Sequence, residues 1–114
     1  MIRQLLNLGL IVIPTTIPIG AIAGAPELAL KKARAVGQAS AAMCLVNNGK
    51  LSEQDSLNLL LSQMKKAGIS SVLPWLKTKE GTKAIQIAST YFESDCQTID
   101  DPKGMTRAIM HYVL

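Results

Sequence analysis

PELALKKARAVGQASAAMCLVNNG, residues 26–49, is the stretch whose reading decides the fold. Pro26 suits a first helical position, where a missing N–H costs nothing, and Glu27 beside it complements the positive end of the helix dipole. The segment then runs to about Val46 and meets Asn47-Asn48-Gly49, strong helix-stopping chemistry. A helix over 26–46 is the prediction. Its side chains are small: Ala29, Ala33, Ala35, Ala39, Ala41 and Ala42, with Gly37 and Ser40. Such residues let neighbouring helices approach closely although each buries little area. Leu28, Val36, Met43 and Val46 would supply the larger contacts.

Downstream the helical signals continue. Ser52 opens a second helix, with Asp55 three residues on, close to a capping box. Leu57, Leu60, Leu61 and Met64 recur at i, i+3, i+4 and i+7 as an amphipathic stripe, and Lys65-Lys66-Ala67-Gly68 is a basic last turn with a glycine stop. Ile69, Val72, Leu73 and Leu76 predict a short third element starting near Ser70 or Ser71, with Pro74 in its first turn. Gly81 is expected to end or kink it, and Thr82 to cap the next. The last clear helix is expected from about Lys83 to Cys96, with Ile85, Ala88, Phe92 and Cys96 on one face. Asp100-Asp101-Pro102-Lys103-Gly104 is a break. Residues 100–114 are set apart as a C-terminal tail from a helical domain of residues 24–99. Its apolar-leaning part, with Met105, Ile109, Met110, Tyr112 and Val113, is expected to dock as a short helix, the alternative being a frayed segment that binds a partner. No strand-period alternation is sustained, so the fold class is all-α, a small three- to four-helix bundle.

Upstream, residues 1–23 have the pattern of an export signal. Arg3 is the positive n-region, Leu5 to Ile22 is an apolar run, and Ala21-Ile22-Ala23 is a small-x-small cleavage site, so the mature chain is expected to begin at Gly24. The competing reading is a retained membrane anchor, since the 18 residues 5–22 approach the ~20 of a spanning helix and would supply membrane contact. Pro14 and Pro18 argue against a span, because each removes a hydrogen bond that lipid cannot replace.

Cleavage would leave 91 residues, one small domain. The chain carries a net charge of +4, and the excess is uneven. Residues 24–66 hold Lys31, Lys32, Arg34, Lys50, Lys65 and Lys66 against Glu27, Glu53 and Asp55, whereas charges after residue 67 balance. Lys31, Lys32 and Arg34 are candidate partner-binding residues for an anionic surface, and they are equally what a solvated helix face carries. Trp75 is a second candidate, either an exposed anchor or a plug filling the space left by the alanines. Nucleic acid is not indicated: there is no basic run and aromatic residues are 4% of the chain.

Cys44 and Cys96 are the only cysteines. In an exported chain two cysteines read as one disulfide. Closing a loop of that length stabilises by roughly 4 kcal/mol on chain-entropy grounds, comparable to the whole stability of a small domain. A redox-catalytic role lacks the C-x-x-C spacing. His111 is the lone histidine and cannot build a metal site alone. Glu93, Asp95, Asp100 and Asp101 surround Cys96 without calcium-loop spacing and read as a solvated helix end. No nucleophile elbow or phosphate-binding glycine loop occurs. The reading is of a non-enzyme without catalytic, metal or cofactor residues.

Cys44-Leu45, then Gly49-Lys50-Leu51-Ser52, then Gly68-Ile69 and Cys96 resemble the pattern of short exported helical proteins of marine cyanobacteria, over roughly residues 25–99. The resemblance implies a signal peptide, three or four helices and one cysteine near each end, and it implies no activity. Together these readings lead to an exported binding or accessory protein of the periplasm, a thylakoid lumen or the extracellular space, with an unidentified protein partner. Two alternatives stand beside it: a membrane-anchored small subunit of an envelope or photosynthetic-membrane complex, and a secreted effector or inhibitor docking through its basic half.

Overall fold

A computed structural model describes residues 26–114; the expected signal or anchor at residues 1–23 lies outside the described residues. Five helices follow in order: α1 (Glu27–Asn47), α2 (Glu53–Lys66), α3 (Leu73–Leu76), α4 (Lys79–Ser89) and α5 (Pro102–Val113), with a 3-10 turn at Ser70–Val72. The class is all-α, as the periodicity predicts.

The alanine-rich helix α1 is the axis of the bundle. Twelve of its 21 residues are buried, Ala29 through Leu45, and they lie all around it rather than on one stripe. Small side chains make this possible, because α2, α4 and α5 can each come close to the α1 backbone. Hydroxyls mark the close approaches. Ser56 Oγ on α2 donates to the Ala42 carbonyl at 3.1 Å. Ser40 Oγ bonds its own helix at Val36 O, 2.6 Å, and lies 3.1 Å from Ile85 O on α4. Pro26 sits one residue earlier than expected, as the N-cap, without a side-chain bond of its own. Gly49, at φ +70°, stops α1, and the Lys50 N–H donates to Leu45 O at 2.9 Å.

Helix α2 is capped by Ser52, whose Oγ accepts from Asp55 N at 3.1 Å. Its expected stripe is only partly used. Met64 is buried and Leu60 half-buried, but Leu57 and Leu61 are 45% and 38% exposed. The helix is rotated so that Ser56, Leu60 and Met64 face the core, while Leu57 and Leu61 look outward.

Two boundaries differ from expectation, each for a local reason. Thr78, not Thr82, caps α4 by accepting from Gly81 N at 3.2 Å. Gly81 therefore neither ends nor kinks an element. It lies inside the first turn, where a Cβ would collide with the Trp75 carbonyl oxygen and the Leu76 backbone. At its other end α4 stops at Ser89 rather than Cys96. The Ser89 and Thr90 hydroxyls donate back to Gln86 O and Ile87 O, both at 2.7 Å, competing with further helical turns. Residues 91–100 instead form a narrow hairpin, with Asp100 N donating to Tyr91 O at 2.7 Å and Glu93 N to Thr98 O at 2.9 Å.

The segment set apart as a tail contains α5, capped by Asp101, whose carboxylate accepts from Gly104 N at 3.1 Å. Met105, Ile109 and Val113, four residues apart, are buried in the same core as Val36, Met64, Ile69, Leu76 and Ala88. A smaller apolar cluster of Cys44, Leu45 and Cys96, with Leu51, Leu59 and Phe92 against it, lies at the C-terminal end of α1.

Candidate functional site

The two cysteines meet as a disulfide, S–S 2.04 Å and Cα–Cα 5.6 Å, joining residues 52 apart in sequence. Cys44 is on α1 as expected, whereas Cys96 is in the 91–100 hairpin, where it adopts φ +58°. Positive φ is uncommon for a residue with a Cβ, so the bond and its surroundings hold the loop in place. Those surroundings are built. Asn48 Nδ2 donates to Ser94 O at 2.9 Å and lies 3.3 Å from Cys96 Sγ, and Lys50 Nζ reaches Ser94 O at 3.4 Å. Asp95 Oδ1 accepts from Gln97 N and Thr98 N, at 2.9 and 2.8 Å, while Oδ2 accepts from Thr98 Oγ1 at 2.6 Å. These bonds, the Thr98 hydroxyl first, hold the Asp95 carboxyl down at about 2.

Asp95 was expected on a solvated helix end; it is instead the organiser of a turn. The signal was legible as an aspartate followed by a threonine three residues on, a pattern in which the carboxylate bonds its own backbone. From its neighbours in sequence Asn48 reads as a helix stop, and nothing local announces its contact with Ser94. Among the described residues no group of three His, Cys, Asp or Glu side chains is arranged to hold a metal ion. His111 stacks at a tilt on Tyr112, ring centroids 4.3 Å apart.

The partner-binding candidates lie toward the opposite, N-terminal half of α1. Lys32 Nζ sits 5.0 Å from the centroid of the Trp75 ring, a cation–π contact. Trp75 is half-buried and packs against the main core, so it combines the plug and the exposed aromatic of the sequence reading. Lys31 and Arg34 line a cleft of about 380 Å³ whose opposite wall is Ala67, Gly68 and Ile69. That wall follows directly on Lys65 and Lys66, which are exposed in the last turn of α2.

The α1–α2 hairpin thus brings Lys65 and Lys66 to the end that holds Lys31, Lys32 and Arg34, a juxtaposition across more than thirty residues of sequence. Lys50, counted with them by position, belongs instead to the disulfide end. The cleft contains one carboxylate, Glu27, which Lys31 engages at 3.7 Å. Among the described residues Lys32, Arg34, Lys65 and Lys66 have no carboxylate within 4 Å. Glu53, at the start of α2, borders a separate groove beside Met43, Val46 and Asn47 of the C-terminal half of α1.

A second surface feature is that groove, about 340 Å³, between the C-terminal half of α1 and the first turns of α2, lined mainly by Met43, Val46, Leu57, Leu60 and Ile85. Among the described residues no helix is long and apolar enough to cross a membrane. Comparisons with protein-family models, curated proteins and solved structures found no match to this chain, and so do not bear on the resemblance to exported cyanobacterial proteins.

Proposed function

We propose that this chain is an exported accessory protein that acts by binding an anionic partner through the pole built from Lys31, Lys32, Arg34, Lys65, Lys66 and Trp75. The observation that carries this reading is the convergence of Lys31, Lys32, Arg34, Lys65 and Lys66, drawn from two helices to one end of the molecule, with a single carboxylate, Glu27, lining the cleft between them. A folded domain gains nothing from crowding like charges, which repel. Such a cluster is what a surface awaiting a negative counterpart looks like. The buried disulfide is compatible with an oxidising compartment outside the cytoplasm. The residues around it cap, pack and hydrogen-bond, which accounts for them structurally and supports a non-catalytic reading.

The test is made in cells with the full-length chain. Fractionation is expected to place the protein outside the cytoplasm, and mass spectrometry to find Gly24 as its first residue. Cross-links formed in envelope fractions should be lost when Lys31, Lys32 and Arg34 are reversed in charge. A cytoplasmic location, or cross-links indifferent to the reversal, overturns the reading. An intact Met1 in the envelope fraction selects the membrane-anchored alternative, in which residues 5–22 enter α1 at this same pole.

A further inference from the structure

We propose that the anionic partner of the basic pole is the surface of a bilayer with negatively charged headgroups; this rests on the reading of the pole as a binding surface. Three observations select lipid over an acidic protein.

The first is the side-chain inventory. Protein interfaces centre on packed, fully desolvated aromatic or aliphatic anchors. This pole instead offers long cationic chains around Leu28, which is 54% exposed one turn before Lys31 and Lys32. Trp75 stands under the Lys32 ammonium, half in the core and half at the surface. Cationic heads, one exposed leucine and a tryptophan at the boundary form the composition of segments that lie at the headgroup level.

The second is shape. Lys31 and Arg34 face Gly68 across a cleft of about 380 Å³, open enough for a phosphate headgroup. Arg34 carries no carboxylate partner there, so its guanidinium is available to phosphate oxygens.

The third is continuity along the chain. The apolar residues 5–22 join α1 at Pro26, at this end of the helix and not at the disulfide end. On the reading of residues 1–23 as an export signal or anchor, the pole is the part of the domain that follows directly on the segment entering the membrane. Electrostatic attraction to anionic lipid is worth a roughly fivefold gain in partitioning for each lysine or arginine at the surface, and it falls with salt.

The experiment uses the full-length protein and two vesicle types, phosphatidylcholine alone and phosphatidylcholine containing phosphatidylglycerol. The readouts are co-sedimentation and the emission of Trp75, the only tryptophan in the chain. The quantity measured is the ratio of partitioning into anionic over neutral vesicles, which removes any contribution of residues 5–22 common to all samples. Wild type should show a ratio well above one, a blue shift of Trp75 on anionic vesicles, and loss of both in high salt. The double variant Arg34→Glu/Lys66→Glu should lower the ratio at least about tenfold. The double variant Lys50→Glu/Lys103→Glu, of equal net charge but away from the cleft, should change it far less. A wild-type ratio near one, or an equal fall in both double variants, overturns the proposal. If the ratio is near one while envelope cross-links still depend on the pole, an acidic protein is the partner and only the lipid assignment fails. If the cross-links are indifferent as well, the binding reading itself fails.

Discussion

At its C-terminal end α1 is joined covalently to the 91–100 hairpin, stopped by Gly49 and tied by Asn48 to Ser94. At its N-terminal end it carries Lys31, Lys32 and Arg34 into solvent beside the last turn of α2, with a single ion pair, Lys31 to Glu27, among them. One end ties Asn48, Lys50 and Asp95 into hydrogen bonds that hold the hairpin; the other presents a cluster of cations to solvent. Groups satisfied internally are there for the fold, and they respond to mutation through stability. Groups left unsatisfied at the surface add little to the fold, and they respond through whatever they contact.

The contrast can be broken most forcefully at the disulfide. Reduction, or Cys44→Ser with Cys96→Ser, releases a constraint worth roughly 4 kcal/mol, and the melting temperature should fall by something on the order of 20 °C. A thermal melt with and without reductant checks this, and an unchanged midpoint would remove the covalent half of the comparison. Gly81→Ala comes next. Its Cβ meets the Trp75 and Leu76 backbone, which cannot yield as a side-chain tip can, so a loss of about 2–3 kcal/mol is expected by denaturant titration. Because this site lies beside Trp75, a shift in tryptophan emission should accompany it.

Asp95→Ala should have a smaller effect on the midpoint and a local one on exchange: the Gln97 and Thr98 amides lose their acceptor and should exchange faster with solvent. The sign of its pH dependence follows from the depressed carboxyl. Its stabilising contribution is present above the ordinary aspartate value of 3.8 and is lost as pH falls through about 2. The wild type should therefore lose hairpin protection over that window, and the alanine variant should not. The smallest change in stability is expected at the other end. Arg34→Glu with Lys66→Glu should leave unfolding free energy within about 0.5 kcal/mol of wild type, since both side chains are exposed and unpaired. A large loss there would mean that the basic pole is structural after all.

Much of the fold was legible because it rests on chemistry within one or two helical turns. Pro26, the Asn47-Asn48-Gly49 stop, Ser52 and Gly68 punctuate the first two helices where the structure places their ends, to within a residue or two. The misplaced boundary at Thr82 has an equally local cause, since Thr78 with Gly81 three residues on offers the same cap one turn earlier. The end of α4 was less accessible. Ile85, Ala88, Phe92 and Cys96 keep helical spacing, and the pairing of Tyr91 with Asp100 and of Cys96 with Cys44 adds to the back-bonding Ser89 and Thr90 hydroxyls in turning the chain away. The candidate site was half visible. Lys31, Lys32, Arg34 and Trp75 could be named, but the assignment of Lys65 and Lys66 to their end, and of Lys50 to the other, requires the antiparallel packing of α2 on α1.

The sequence by itself determined that this chain is helical, that its first helix is lined with small residues, and that two cysteines were available to bond. These follow from short-range sterics, capping and composition. Tertiary structure alone decided that the middle of α1, residues 35–42, is buried on all sides, that residues 102–113 complete the core, and that Lys65 and Lys66 join Lys31, Lys32 and Arg34 at one pole. Those outcomes depend on which faces meet, and a charge or a leucine acquires its role only when a distant helix has come to lie beside it or has left it uncovered.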